Sequence, residues 1–207
     1  MKDEFEFDDL DIQLQPTSKR RLPLGSKPPR TRLAVMGDSD EQALYINWVA
    51  LKSVIDHAQS SPEREIGGFL LGTEFNDVRG TCLDIKQAIE AQNTVERAAS
   101  VTFTHASWDS FNLVHARQWA EYGVAGWYHS HPGFGVFLSE YDLFIHRNFF
   151  NEPFHVALVI DPINREIGLF TWQGKQIKAA SGLAVYAPAK SQELFGIILG
   201  EWHLVTG

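Results

Sequence analysis

Two histidines, a serine and an aspartate lie within fourteen residues of one another in this chain, at His129, His131, Ser139 and Asp142. The histidines end an apolar run that begins at Val124, and such a run between glycines predicts a buried strand. Side chains two residues apart on a strand point to the same face, so both imidazoles can bind one metal ion. Two His and one Asp leave the fourth position of a tetrahedral zinc ion open for water, as catalytic zinc sites do.

The residues that follow predict a change from strand to helix. Pro132 has no backbone N–H and therefore ends the strand, and a loop with two glycines leads to Ser139. Asp142 lies one turn into the predicted helix, from which it could reach back to the metal. The pair has a simpler interpretation as well, because Ser followed three residues later by an acid is a common helix start. A His-x-His pair is also weak alone, since histidines are often buried as packed residues.

The joint pattern is more specific than its parts. It reads His-x-His-Pro, six residues, Ser, two residues and Asp, which resembles the signature of the JAMM metalloproteases, also called MPN+ or JAB1/MPN. That family also has a glutamate just before a glycine-rich strand, and Glu65 resembles it because an apolar, glycine-containing run follows directly. The resemblance covers roughly residues 42–180.

The resemblance implies an α/β (α+β) chain with the MPN/JAMM fold, a curved and mainly antiparallel β-sheet flanked by helices. It implies one catalytic Zn²⁺ held by His129, His131 and Asp142, without any other cofactor. Glu65 is implied as the general base that takes a proton from the metal-bound water, and Ser139 as the donor that stabilises the oxyanion. Without the motif, Glu65 could equally be the solvated end of a loop.

The same resemblance implies a substrate class. JAMM enzymes mostly cleave bonds after the C-terminal Gly-Gly of ubiquitin or ubiquitin-like proteins, so we expect a deubiquitinase-like isopeptidase for maturation or deconjugation. An extended Gly-Gly tail suits a groove that adds it as a strand. Two alternatives remain open, a peptidase that trims a sulfur-carrier protein and a non-catalytic MPN scaffold subunit. The compact chain favours a prokaryotic source, with E1-like or E2-like operon partners.

Composition sets further limits. The net charge of −8 argues against a nucleic-acid partner, which would require a basic face. No apolar run approaches the roughly 18–20 residues that cross a bilayer, so we expect no membrane partner. The acidic start does not resemble a secretory signal. The single cysteine, Cys82, excludes an intramolecular disulfide and suits a reducing, cytoplasmic location.

The charge distribution predicts a boundary near residue 40. Residues 1–14 carry six acids and one Lys, whereas residues 18–32 carry six Lys or Arg and no acid. Such a composition buries little apolar surface, so we expect a flexible arm at 1–40 and the metalloprotease domain at 41–207.

Periodicity predicts the elements of that domain. Strands are predicted at residues 43–46, 66–71, 83–89, 101–106, 124–131, 154–161, 167–172, 176–180 and 183–186. Helices are predicted at 48–58, 143–150 and 191–202, with another that is capped by Asp109 or Ser110 and ended by Gly123. The histidines without ligand spacing are expected to be packed or surface residues: His105, His115, His146, His155 and His203.

Overall fold

The computed structural model describes residues 21–26, 32–37, 44–77, 80–92, 95–97, 100–187 and 200–206. The helices are α1 (Trp48–Ser60), α2 (His105–Gln118) and α3 (Glu140–Phe149). The strands are β1 (Arg32–Gly37), β2 (Leu44–Asn47), β3 (Gly67–Asp77), β4 (Gly80–Glu90), β5 (Val95–Arg97), β6 (Ser100–Thr102), β7 (Gly123–Ser130), β8 (Val156–Asp161), β9 (Glu166–Gln173), β10 (Gln176–Ala179), β11 (Gly182–Tyr186) and β12 (His203–Leu204). Among the helices so described, none has the length and apolar character to span a membrane.

The strands form one large, strongly curled sheet and a small hairpin of β5 and β6. The order in the large sheet is β1-β11-β2-β4-β3-β7-β8-β9-β10, with β12 beside β9. Most neighbouring strands in this order are antiparallel, but β11 pairs in parallel with β2, β2 with β4, and β7 with β8. Parallel neighbours need a crossover connection, which α3 supplies between β7 and β8. The expected α+β class with a curved sheet and flanking helices is confirmed.

The sheet buries apolar side chains on both faces. Neighbouring residues of β7 contribute to different cores, because successive side chains of a strand point in opposite directions. Tyr128 packs in the core that contains α1, whereas Trp127 packs in an aromatic core with Phe111 of α2 and Ile145 of α3. The face of β7 that carries Trp127 and His129 is therefore the face toward α3.

The second helix begins earlier than the sequence predicts. The expected strand at 101–106 ends at Thr102, and α2 starts at His105 with Thr104 as its N-cap. The Thr104 hydroxyl accepts a hydrogen bond from the Ser107 backbone N–H, and the Ser107 hydroxyl accepts one from the Thr104 N–H. This reciprocal pair satisfies two N–H groups at the helix start. Asp109 and Ser110 consequently lie inside the helix, so the predicted cap was wrong.

Two segments within residues 1–40, the predicted flexible arm, contact the large sheet. β1 pairs antiparallel with β11. Leu22 is 5% exposed, and its side chain packs over Gly123 at the start of β7. Backbone hydrogen bonds join Pro23 and Gly25 to Glu74 of β3. Composition does not predict these contacts, because it describes a whole segment and not the single side chain that is buried. The arm residues 1–20, 27–31 and 38–40 lie outside the described residues, as do residues 191–199 of the predicted last helix.

Candidate metal centre

The two histidines lie at the end of β7. His129 is on the strand, and His131 follows its last residue. The backbone N–H of His131 donates to the carbonyl of Ile160 at 2.9 Å, so pairing with β8 continues to this residue. Both side chains are buried, and their Nε2 atoms lie 3.1 Å apart. The predicted pairing of the imidazoles on one face therefore agrees with the geometry.

Asp142 has two roles at the start of α3. Its Oδ2 atom accepts hydrogen bonds from the backbone N–H of Ser139 at 2.8 Å and from the Ser139 hydroxyl at 2.6 Å. Its own N–H donates to Ser139 Oγ at 3.2 Å, which completes a capping box. The other carboxylate oxygen, Oδ1, lies 3.4 Å from Nε2 of His129. The Oδ2 atom that caps the helix also lies 3.5 Å from Nε2 of His131. The two interpretations of the Ser–Asp pair are thus compatible, since the same carboxylate caps the helix and faces both histidines.

These three side chains fit a metal ion. His129, His131 and Asp142 are buried, and each offers a ligand atom within 4.8 Å of the others. The separations are 3.1 Å between the two Nε2 atoms, and 3.4 and 3.5 Å from these nitrogens to the carboxylate oxygens. A tetrahedral zinc ion with bonds of about 2.0–2.1 Å separates its ligand atoms by roughly 3.3–3.4 Å. Imidazole and carboxylate groups are also ordinary ligands of zinc.

Glu65 is brought beside the histidines by the pairing of β3 with β7. Ile66 accepts a hydrogen bond from the N–H of Ser130 at 2.9 Å and donates to the Ser130 hydroxyl at 3.0 Å. The Glu65 side chain is only 8% exposed, and its Oε1 atom lies 4.0 Å from Nε2 of His131. The alternative of a solvated loop end therefore does not describe this residue.

The pKa values of the two carboxylates of the site are shifted in opposite directions. Burial raises the pKa of Glu65, with His131 opposing this shift and Asp142 reinforcing it. Burial alone would also raise the pKa of Asp142, but the facing His129 and His131 and the Ser139 hydroxyl together hold it well below its usual range. The Asp142 carboxylate thus stays ionised, as a ligand of a cation must be. The Glu65 carboxylate has a pKa shifted toward neutrality, as suits a proton carrier.

Asp161, the last residue of β8, is a residue of the site region that sequence reasoning missed. Its carboxylate accepts hydrogen bonds from the backbone N–H groups of Gly133 at 2.9 Å, Gly135 at 2.8 Å, Ile163 at 2.9 Å and Asn164 at 3.0 Å. The Asn164 side chain donates a further bond at 2.8 Å. The carboxylate therefore ties the loop after the second histidine to the turn after β8. An Asp at the start of a Pro-containing turn was the available signal.

Asp161→Asn is expected to lower the free energy of unfolding by about 1–3 kcal/mol near pH 7, because an amide group replaces an acceptor among buried donors. Burial alone would raise the pKa of Asp161, but N–H groups of Gly133, Asn164, Gly135 and Ile163 lower it. The folded pKa thus lies below the unfolded value of about 3.9, so this stability is full above about pH 4 and is lost as the pH falls. Urea denaturation of both proteins should show the difference shrinking in acid. An equal difference in the free energy of unfolding at pH 7 and in acid would contradict this role of Asp161.

The predicted site residues lie in a region of the chain that is similar to known proteins. A family model described as JAB1/Mov34/MPN/PAD-1 ubiquitin protease matches residues 39–152, which contain all the predicted site residues. The chain is 30% identical over 130 residues to ubiquitin carboxyl-terminal hydrolase RPN11 of Saccharomyces cerevisiae, covering 61% of this chain and 40% of that protein. It is 31% identical over 150 residues to the 26S proteasome non-ATPase regulatory subunit 14 of Drosophila melanogaster, covering 70% and 47%. The chain thus spans less than half the length of these relatives.

A solved structure shares the fold. The solution structure of protein DSY2949 from Desulfitobacterium hafniense has a TM-score of 0.52 to this chain, at 16% sequence identity. The similarity covers 70% of this chain and 94% of that chain. At so low an identity, it speaks for the fold alone.

Proposed function

Because this chain belongs to the JAB1/Mov34/MPN/PAD-1 family, we propose that it is a zinc-dependent metallopeptidase that cleaves after the C-terminal Gly-Gly of a ubiquitin-like protein. The observation that carries the proposal is the buried cluster of His129, His131 and Asp142, with the Glu65 carboxylate 4.0 Å from His131. The name of the yeast relative, a ubiquitin carboxyl-terminal hydrolase, supports the substrate class. We propose the same class for this chain.

In the proposed reaction, His129, His131 and Asp142 would hold Zn²⁺. The ion would supply a Lewis acid that polarises the scissile carbonyl and acidifies the attacking water. Glu65 would accept the proton of that water at a carboxylate oxygen and deliver it to the leaving amine. Its raised pKa favours both halves of this transfer, because a base works best when its pKa approaches the operating pH.

Ser139 has a second task in this proposal. Its hydroxyl donates to Oδ2 of Asp142 at 2.6 Å, and rotation about the Cβ–Oγ bond would turn the hydrogen toward the carbonyl oxygen of the substrate. The backbone N–H of Ser139 would keep its own bond to the same carboxylate oxygen. Asp142 therefore remains oriented while the hydroxyl stabilises developing negative charge.

The alternatives make different demands on the same residues. A non-catalytic scaffold has no need for a buried ligand cluster with an adjacent carboxylate of raised pKa, so the geometry favours an enzyme. Trimming of a sulfur-carrier protein would use the same residues and differ only in the leaving group. The substrate must therefore be identified by experiment.

The test is a panel of ubiquitin-like proteins with Gly-Gly tails, each joined to a reporter through a peptide or an isopeptide bond. We expect the zinc-loaded chain to cleave directly after the second glycine, and a chelator to abolish cleavage. The matched control is the same panel with Ala-Ala in place of Gly-Gly. Cleavage confined to sulfur-carrier tails would favour the trimming peptidase. A chain that binds zinc but cleaves none of the panel would contradict the proposed function.

A further inference from the structure

Within the part of the chain that the structure describes, His129 has no partner of the kind that usually orients a metal-binding histidine. Such a histidine generally donates its second ring nitrogen to a carboxylate, a carbonyl or water, which fixes the orientation of the ring. Nδ1 of His129 is buried without a hydrogen-bond partner among the described residues. The flat face of Trp127 lies against the imidazole instead, with ring centroids 4.5 Å apart and planes 12° from parallel.

Trp127 is itself held by α3. Its indole Nε1–H donates to Nδ1 of His146 at 3.1 Å, and both side chains are fully buried. Burial lowers the pKa of His146 to about 3, so the ring is neutral and this nitrogen can accept. The His146 ring also stacks on Trp172, with centroids 5.4 Å apart. Trp172 donates in turn to the carbonyl of Phe150, at the end of α3. His146 is thereby held from two sides.

Two contacts therefore connect α3 with β7. Asp142 lies beside His129, and one helical turn later His146 accepts the hydrogen bond from Trp127. Asp142 and His146 are four residues apart on the helix and so lie on the same face. Trp127 and His129 are two residues apart on the strand and also share a face. The candidate ligands His129 and Asp142 belong to different elements, and their 3.4 Å separation depends on how α3 lies against β7. The hydrogen bond from Trp127 to His146 fixes that packing next to the ligands.

We propose that His146 and Trp127 are positioning residues, which together orient the His129 ring and set its distance from Asp142. This inference rests on the proposed function, because it concerns the same metal site. The sequence predicts His146 to be only a packed or surface residue, since its spacing to the motif is not that of a ligand. His146 is buried, as a packed residue would be, but it also bonds to Trp127, whose ring lies against the candidate ligand His129.

His146→Leu removes the nitrogen that accepts from Trp127 and replaces the ring with an apolar side chain of similar reach. We expect it to weaken zinc binding by up to about 10–100-fold, the range for loss of a residue that bonds directly to a ligand, because His146 acts on His129 through Trp127. Competition with a chelating dye measures this affinity. The visible absorption of the Co²⁺-substituted protein, which reports coordination geometry, should change as well. His146→Asn keeps an acceptor at the same distance along the side chain, so it should lose much less affinity.

Trp127→Phe provides a second route to the same test. It keeps an aromatic face for His129 but lacks the N–H group, and it too should weaken zinc binding and alter the Co²⁺ spectrum. The matched control is His155→Leu, which removes another buried histidine that accepts a hydrogen bond, here from the N–H of Glu152 at 3.1 Å. That control should lower thermal stability without changing either metal readout.

The outcomes separate this inference from the proposed function. Wild-type zinc affinity and an unchanged Co²⁺ spectrum in folded His146→Leu and Trp127→Phe proteins would overturn the positioning role alone. An equal loss in His155→Leu would also overturn it, because any buried histidine would then have the same effect. If the wild-type chain itself binds no zinc, the proposed function fails first.

Discussion

Glu65→Gln is expected to reduce kcat for cleavage of a Gly-Gly-tailed substrate by about 10²–10⁴-fold, the usual contribution of a general base. Glutamine has nearly the same shape as glutamate but cannot take up the proton of the attacking water. The side chain lies 4.0 Å from His131 and outside the cluster of candidate ligands. The variant should therefore still bind one zinc ion per chain, as metal analysis of the purified protein would measure.

Glu63→Gln is the matched control, because Glu63 is an exposed residue in the same short loop. It changes the net charge equally and should keep full activity. If Glu65→Gln retained wild-type kcat, the proton would have to travel through another group. Loss of zinc in Glu65→Gln would instead show that this carboxylate is needed to hold the metal.

Asp142→Asn is expected to abolish activity by loss of the metal. The amide has no charge and cannot compensate the charge of the cation. Zinc affinity should therefore fall further than the loss of about 10–100-fold that follows when a residue bonded to a ligand is removed. Chelator competition would give the affinity, and turnover of the same Gly-Gly substrate would give the rate. Both should be lost together, and added zinc should restore part of the rate.

Ser139→Ala is the control for this second prediction. Both substitutions disturb the capping box of α3, so both should cost stability, about 1 kcal/mol for the lost cap. Only Asp142 belongs to the candidate ligand set. Ser139→Ala should therefore keep zinc and lose about 10²–10³-fold in kcat, as removal of an oxyanion donor does. Equal zinc affinity in the two variants would contradict the assignment of Asp142 as a ligand.

The candidate metal ligands could be predicted because they lie within fourteen residues of one another. His129 and His131 follow from the two-residue repeat of a strand, and Asp142 from its place one turn into a helix. Glu65 could be predicted only through the family resemblance, since its position depends on the pairing of β3 with β7. The source of the chain and its operon partners stay predictions.

The residues that support the site were harder to predict, for a physical reason. Asp161 and His146 act through contacts with residues 19 to 28 positions away in the chain, which local patterns do not encode. Leu22 was assigned to a flexible arm because composition describes a whole segment, whereas one buried side chain is enough to dock it. The start of α2 was misplaced because a Thr–Ser capping box competes well with the Asp and Ser that follow it.

The proposed function requires that one zinc ion is bound by two imidazoles and one carboxylate beside Glu65. An anomalous difference map, recorded at the zinc absorption edge from crystals of the full chain grown with zinc, tests it most directly. We expect one strong peak in contact with Nε2 of His129, Nε2 of His131 and a carboxylate oxygen of Asp142. A map without a peak there, or with zinc bound only at other side chains, would contradict it.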